Sequence, residues 1–159
     1  MTTSRKPVCI PATGGPVTRT PWGDTVREVV PANQSTGAFS TLLVEVSPSR
    51  ERPGYVHHAA DEAFVVLSGS VTFAVGGEDY ADLESGASVY VPRGVRREYT
   101  SGPDGARLLV TQTPGWAYDG PRGLLAAPDP GADALLHYAR AMAGCGVEVL
   151  SPPAARTTA

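Results

Sequence analysis

The sequence predicts an all-β domain, a barrel or sandwich, accompanied by one short α-helix near the C-terminus. Two observations carry that expectation. Short β-type runs recur from Thr25 onward, in the order VREVV, AFSTLLVEV, AFVVL, SVTFAV, SVYV and RLLVTQT, at a spacing that suits such a fold. The chain also holds 18 Gly and 15 Pro in 159 residues, which favours many turns over long helices.

Taken in order, residues 1–20 are rich in Pro, Gly and Thr without a sustained period. They read as an arm able to pack along a barrel or a neighbouring subunit. The β-type runs that follow are separated at Ser68-Gly69, Gly76-Gly77, Ser85-Gly86, Arg93-Gly94 and Gly102-Pro103, where Gly supplies positive φ or Pro fixes it. AFVVL and SVTFAV, joined through Leu67-Ser68-Gly69, look like an antiparallel hairpin. After Pro114, GWAYDGPRGLLAAPDPG is interrupted too often for regular structure and reads as a linker or lid, in which Trp116 and Tyr118 would close the barrel mouth. ADALLHYARAMAG then sets Leu135, Leu136, Ala139 and Met142 at helical spacing, with Asp133 near the start and Gly144 as the C-cap. The expected organisation is an arm at 1–20, a barrel at 21–114, and a lid or linker with the C-terminal helix at 115–159.

Composition removes several function classes. A net charge of -3 offers no basic face to neutralise phosphates, so nucleic-acid binding has no electrostatic support. No apolar run approaches the roughly 20 residues that span a bilayer, and the N-terminus lacks the apolar core of a signal peptide. A soluble cytoplasmic protein is therefore expected. Cys9 and Cys145 sit in opposite flanks, outside any CxxC or Cys/His pattern, and read as structural thiols.

The chemistry concentrates in PGYVHHAADEAFVVLSG, where Tyr55, His57, His58, Asp61 and Glu62 fall within eight positions. In an extended strand Tyr55 and His57 point to one face, while Val56 and His58 point to the other. Imidazole and carboxylate are ligands for borderline divalent metals, so His57 and Glu62 are candidate metal ligands. The alternative for the whole segment is a solvated polar loop.

A second segment, SGASVYVPRGVRREYTSG, decides between them. Gly54, His57, Glu62 and Gly69 fall on the first of two motifs, and Gly86, Pro92 and Gly94 fall on the second, with Arg97 closing it. Together they resemble the paired motifs of the cupin superfamily, over roughly residues 37–114. The resemblance implies a double-stranded β-helix, or jelly-roll barrel. The helix and GVEVLSPP after it are similar to the C-terminal extension of small single-domain bacterial cupins of the quercetin-dioxygenase-like group. Cupins of this length commonly pair through N-terminal strands, which implies a homodimer.

The motif is degenerate. Tyr55 stands where the family has its first metal His and Arg97 where it has its last, and a guanidinium has no lone pair to give. Metal-free chemistry fits these charges better than a divalent cation at His57 and Glu62, although a phenolate at Tyr55 would be a further ligand. Tyr55, His57, Glu62 and Arg97 make a usable set for proton transfer. Arg97 would hold Glu62 ionised, or bind a substrate carboxylate, phenolate or enolate; the competing reading is an outward charge beside Arg96 and Glu98. Phe64 and Tyr99, each two residues from a member of the set, would line the same cavity with Trp116 as substrate-binding groups.

The leading expectation is a small-molecule enzyme of the cyclase, isomerase or dehydratase kind. Resemblance to cupins of bacterial secondary metabolism and the Ala-, Gly-, Pro- and Arg-rich usage of the chain point to an apolar, enolisable, polyketide-like substrate. A metal-dependent quercetinase-like dioxygenase and a non-catalytic ligand-binding cupin are the alternatives.

Overall fold

The computed structural model describes residues 6–48, 52–115 and 134–150. Among these, the elements run β1 (Val17–Arg19), β2 (Thr25–Val30), β3 (Ser40–Val46), β4 (Tyr55–His57), β5 (Asp61–Val75), β6 (Glu78–Leu83), β7 (Ser88–Val91), β8 (Arg96–Thr113), α1 (Ala134–Ala143) and β9 (Val147–Val149). The expected all-β fold with one short helix is what forms. The strands make one sheet in the order β1-β2-β3-β8-β4-β9, while β5 pairs with β6, β7 and β8. Every pairing is antiparallel.

Two long strands organise the sheet. β5 and β8 run against each other from Asp61 opposite Thr113 to Val75 opposite Arg97. The first half of β5 takes β7 as its other neighbour and the second half takes β6. The first half of β8 meets β4, and its second half meets β3.

The hairpin expected at Leu67-Ser68-Gly69 is therefore absent, because AFVVL and SVTFAV are two halves of one strand. The register shifts at Val66/Ser68 and Gly69/Val71 mark bulges there. Gly69 has φ of 72°, and a Cβ on it would run into the Gly105 carbonyl. A left-handed glycine serves a bulge as readily as a turn, so the dipeptide alone did not separate the two. Gly102-Pro103 is likewise an excursion within β8, between Ser101 opposite Val71 and Ala106 opposite Gly69. Gly76-Gly77 is a true two-residue turn: Val75 faces Glu78, and both glycines have positive φ, as a type I′ hairpin requires.

The core lies on the concave side and follows from period-2 alternation. Leu42, Val44 and Val46 of β3, Phe64 and Val66 of β5, and Leu108 and Val110 of β8 all point inward. Phe64, Phe73 and Tyr99 pack as an aromatic cluster with centroids 5.1–6.2 Å apart. Each fully buried Phe or Leu stabilises the fold by roughly 1.5–3 kcal/mol.

The helix forms as expected but turns a different face inward. Tyr138, Ala141 and Met142 are buried, whereas Leu135 and Leu136 are exposed. With Cys145, which is also buried, they form an i, i+3, i+4, i+7 stripe. Tyr138 meets Trp22 edge-on at 5.0 Å, and that contact selects the stripe over the more hydrophobic leucines. Gly144 has no left-handed conformation; Gly146 takes it two residues later, with φ of 78°. Its carbonyl accepts the His58 amide at 2.7 Å, which launches β9 alongside β4. Strands thus join the sheet from both flanks, β1 before residue 21 and β9 after residue 114. No helix among the described residues is long and apolar enough to cross a membrane. Asp133, Trp116, Tyr118 and the expected lid after Gly115 lie outside the described residues.

Candidate active site

Inside the curled sheet is a cavity of about 80 Å³, well above the roughly 10–15 Å³ that one water molecule needs. Its walls are largely apolar, with Val44, Phe64, Tyr99, Val110, Met142 and Val149 among them. The strand alternation brings three of the expected polar residues to it: Tyr55 and His57 from β4, and Glu62 from the start of β5. His58 and Asp61 face outward. His58 pairs with Glu148 at 2.8 Å, and Asp61 accepts from the Arg93 backbone and guanidinium.

Glu62, 3% exposed, is the centre of the polar cluster. Its Oε1 accepts from Arg97 Nη1 at 2.6 Å and from the Tyr55 hydroxyl at 3.0 Å. Its Oε2 accepts from Gln112 Nε2 at 3.0 Å, and Gln112 Oε1 accepts in turn from Ser40 Oγ at 3.1 Å. An ionised carboxylate has about four lone-pair sites, and these bonds use three of them. One acceptor site remains on Oε2.

Arg97 is wholly buried, so it is not the outward charge that its neighbours Arg96 and Glu98 suggested. It does not line the cavity either. Besides Glu62, its nitrogens donate to the carbonyls of Val95 and Pro92, and its guanidinium lies 5.3 Å from the Tyr55 ring centre. The geometry fits the role of holding Glu62 from outside the cavity lining. Burial, reinforced by the Glu62 charge, pushes the Tyr55 phenol well above its ordinary value, so it stays protonated.

His57 is fully buried, and its Nδ1 accepts the amide N–H groups of Ala59 (3.2 Å) and Ala60 (3.1 Å). A backbone amide can only donate, so Nδ1 carries the lone pair and the neutral ring carries its proton on Nε2. Burial lowers the His57 pKa; the Glu62 charge opposes that and the Arg97 charge adds to it. Nε2 is buried with no hydrogen-bond partner among the described residues.

These residues do not suit a divalent metal. A ligand nitrogen must present a lone pair, and Nε2 presents a proton. Tyr55 is a phenol rather than a phenolate, and the cationic Arg97 sits 2.6 Å from Glu62. No group of three or more His, Cys, Asp and Glu side chains could hold a metal among the described residues.

A second polar cluster in the wall was not foreseen. Asp24, 1% exposed, receives Arg52 in a two-pronged pair, with both N···O distances 2.6 Å, and also accepts from Trp22 Nε1, the Ser47 amide and the Ser47 hydroxyl. Arg52 lies 5.8 Å from the Tyr99 ring centre. Asp24 stands in TPWGDT, just before β2, where no local signal marks it as buried. Gln112 and Ser40 did leave one: each is a polar residue in the inward phase of an otherwise apolar strand, Leu108-Val110-Gln112 and Ser40-Leu42-Val44.

Residues 42–111 match the family model described as the cupin domain. The chain carries a cupin domain. Three solved cupin-fold structures illustrate the likeness. KdgF from Halomonas sp. superposes with a TM-score of 0.61 at 13% identity, over 69% of this chain and 94% of that one. Pac13, a nucleoside dehydratase, known from Streptomyces, gives 0.57 at 14%, over 69% and 83%. The polyketide cyclase RemF from Streptomyces resistomycificus gives 0.57 at 23%, over 68% and 80%. At these identities the likeness is one of cupin fold. No protein of curated function matches the chain in sequence.

Proposed function

We propose that this cupin is a metal-free acid/base enzyme that moves a proton on an apolar, enolisable substrate, in a cyclisation, isomerisation or dehydration. The observation that carries the reading is Glu62. A buried carboxylate lines an apolar cavity, is fixed from three sides by Arg97, Tyr55 and Gln112, and retains one acceptor site. A carboxylate so oriented needs no reorganisation to take a proton from carbon, and the dry surroundings strengthen every charge interaction made there. Tyr55 and Arg97 act through Glu62 as positioning residues. Phe64 and Tyr99 supply the apolar bed, and the enzymes of the same fold, a polyketide cyclase and a nucleoside dehydratase, support a small-molecule substrate.

Solvent exchange tests this without knowing the final product. Incubated in D₂O with aryl β-diketones, the protein is expected to exchange the α-proton faster than buffer. Glu62→Gln, nearly the same size, should lower that rate by about 10²–10⁴-fold, the usual contribution of a positioned general base. An unchanged rate in Glu62→Gln would remove Glu62 as the base and with it the proposed chemistry.

A further inference from the structure

We infer that the cavity takes an uncharged, largely apolar molecule by a carbonyl oxygen, which accepts a hydrogen bond from His57 Nε2. The inference deepens the proton-transfer reading and rests on it for the reaction, but its geometry stands separately. His57 is held by the two amides on Nδ1, so its remaining face can only donate. Buried donors without a partner are rare in folded proteins, and this one belongs to a residue that lines a cavity. The atom that completes it must be an acceptor.

Charge narrows the acceptor. Both nearby guanidiniums are engaged by buried carboxylates: Arg97, outside the cavity lining, is bound to Glu62, and Arg52, in the lining, is bound in two places to Asp24. An anionic ligand at His57 would therefore approach Glu62 without a cation left to offset the repulsion, and a cationic one would meet an imidazole proton. A neutral carbonyl satisfies Nε2 and places its α-carbon in the cavity that Glu62 also lines. As that α-proton leaves for Glu62 Oε2, the C–H electron pair becomes the enolate π bond and the carbonyl pair moves to oxygen. The developing oxyanion is then held by the His57 N–H, which keeps its proton.

The test is nitrogen NMR of the ¹⁵N-labelled protein, with the His57 signals assigned through His57→Gln. The unmodified protein at pH 7.5 should show a neutral ring with a protonated Nε2 and a bare Nδ1; a protonated Nδ1 or an imidazolium overturns the inference. Acetophenone and benzoate, alike in shape and different in charge, then serve as probes. Acetophenone should move the Nε2–H resonance and benzoate should leave it in place. His57→Phe should weaken acetophenone by about tenfold, the worth of one hydrogen bond, while His57→Gln, which presents an amide N–H near the same point, should recover most of the loss. Equal or tighter binding of benzoate, no response to acetophenone up to its solubility limit, or full affinity in a folded His57→Phe protein would each overturn the substrate class. Carbonyl binding without α-proton exchange would instead overturn the proposed reaction and leave this inference standing.

Discussion

At the scale of single residues, the site is defined by which hydrogen-bonding groups are already used. Arg97 donates to Glu62 and to the carbonyls of Pro92 and Val95 and stands outside the cavity lining, and for that reason it is a positioning residue rather than a ligand for substrate. Arg97→Leu leaves Glu62 charged and buried without its partner and should destabilise the fold by about 3–5 kcal/mol, read from the denaturant midpoint. Replacing both members, Arg97→Leu with Glu62→Leu, should recover most of that stability while the exchange activity stays lost. If Arg97→Leu weakened acetophenone more than it slowed exchange, Arg97 would be touching the ligand. Much of this set was legible beforehand. Alternation in YVHH put Tyr55 and His57 on one face, and the resemblance to the second cupin motif, from Gly86 to Arg97, implied that the second segment meets the first. What could not be read was the backbone's part: the amides of Ala59 and Ala60 fix the His57 proton, and no side-chain pattern reports where an amide points.

At the scale of elements, the divergence between sequence and structure comes from features with one local signature and two long-range outcomes. Ser68-Gly69 has the composition of a turn, yet the partner strand β8 runs past it, so the glycine becomes a bulge in a continuous 15-residue strand. In α1, Leu135 and Leu136 are the more hydrophobic choice, but the surface beneath the helix offers Trp22 to Tyr138. Tertiary contact chose the face in both cases. The Gly69 bulge carries its own prediction. Gly69→Ala forces a side chain into left-handed backbone, at about 1–2 kcal/mol, and adds the collision with Gly105. The loss should therefore exceed that range in urea unfolding, and a smaller loss would mean that the bulge relaxes easily.

For the whole molecule, two buried ion pairs, Asp24 with Arg52 and Glu62 with Arg97, contribute groups to the cavity wall, and one of them should appear in the acid limb of stability. Burial alone would raise the Asp24 pKa; the hydrogen bonds from Arg52 and the Ser47 amide, with the Arg52 charge, outweigh it and leave the group below its ordinary 3.8. The unfolded chain then binds the proton first. The Asp24 contribution is complete above 3.8 and is lost as pH falls through the lower folded value, with a slope of up to about 1.4 kcal/mol per pH unit. Asp24→Asn should flatten stability against pH in that window. Asp61, lowered by Arg93 on the surface, is the control, since Asp61→Asn removes an exposed pair that contributes little. An unaltered slope in Asp24→Asn would show that the Asp24 pair does not drive acid unfolding.

The claim that joins these scales is that protein groups alone, without a metal, move the proton. The direct measurement is the α-proton exchange rate of the same preparation before and after chelator treatment, with metal per chain counted on each sample. The account predicts an unchanged rate in the stripped protein. A rate that disappears with the metal and returns when the metal is restored would contradict it, and would require His57 to give up the proton on Nε2.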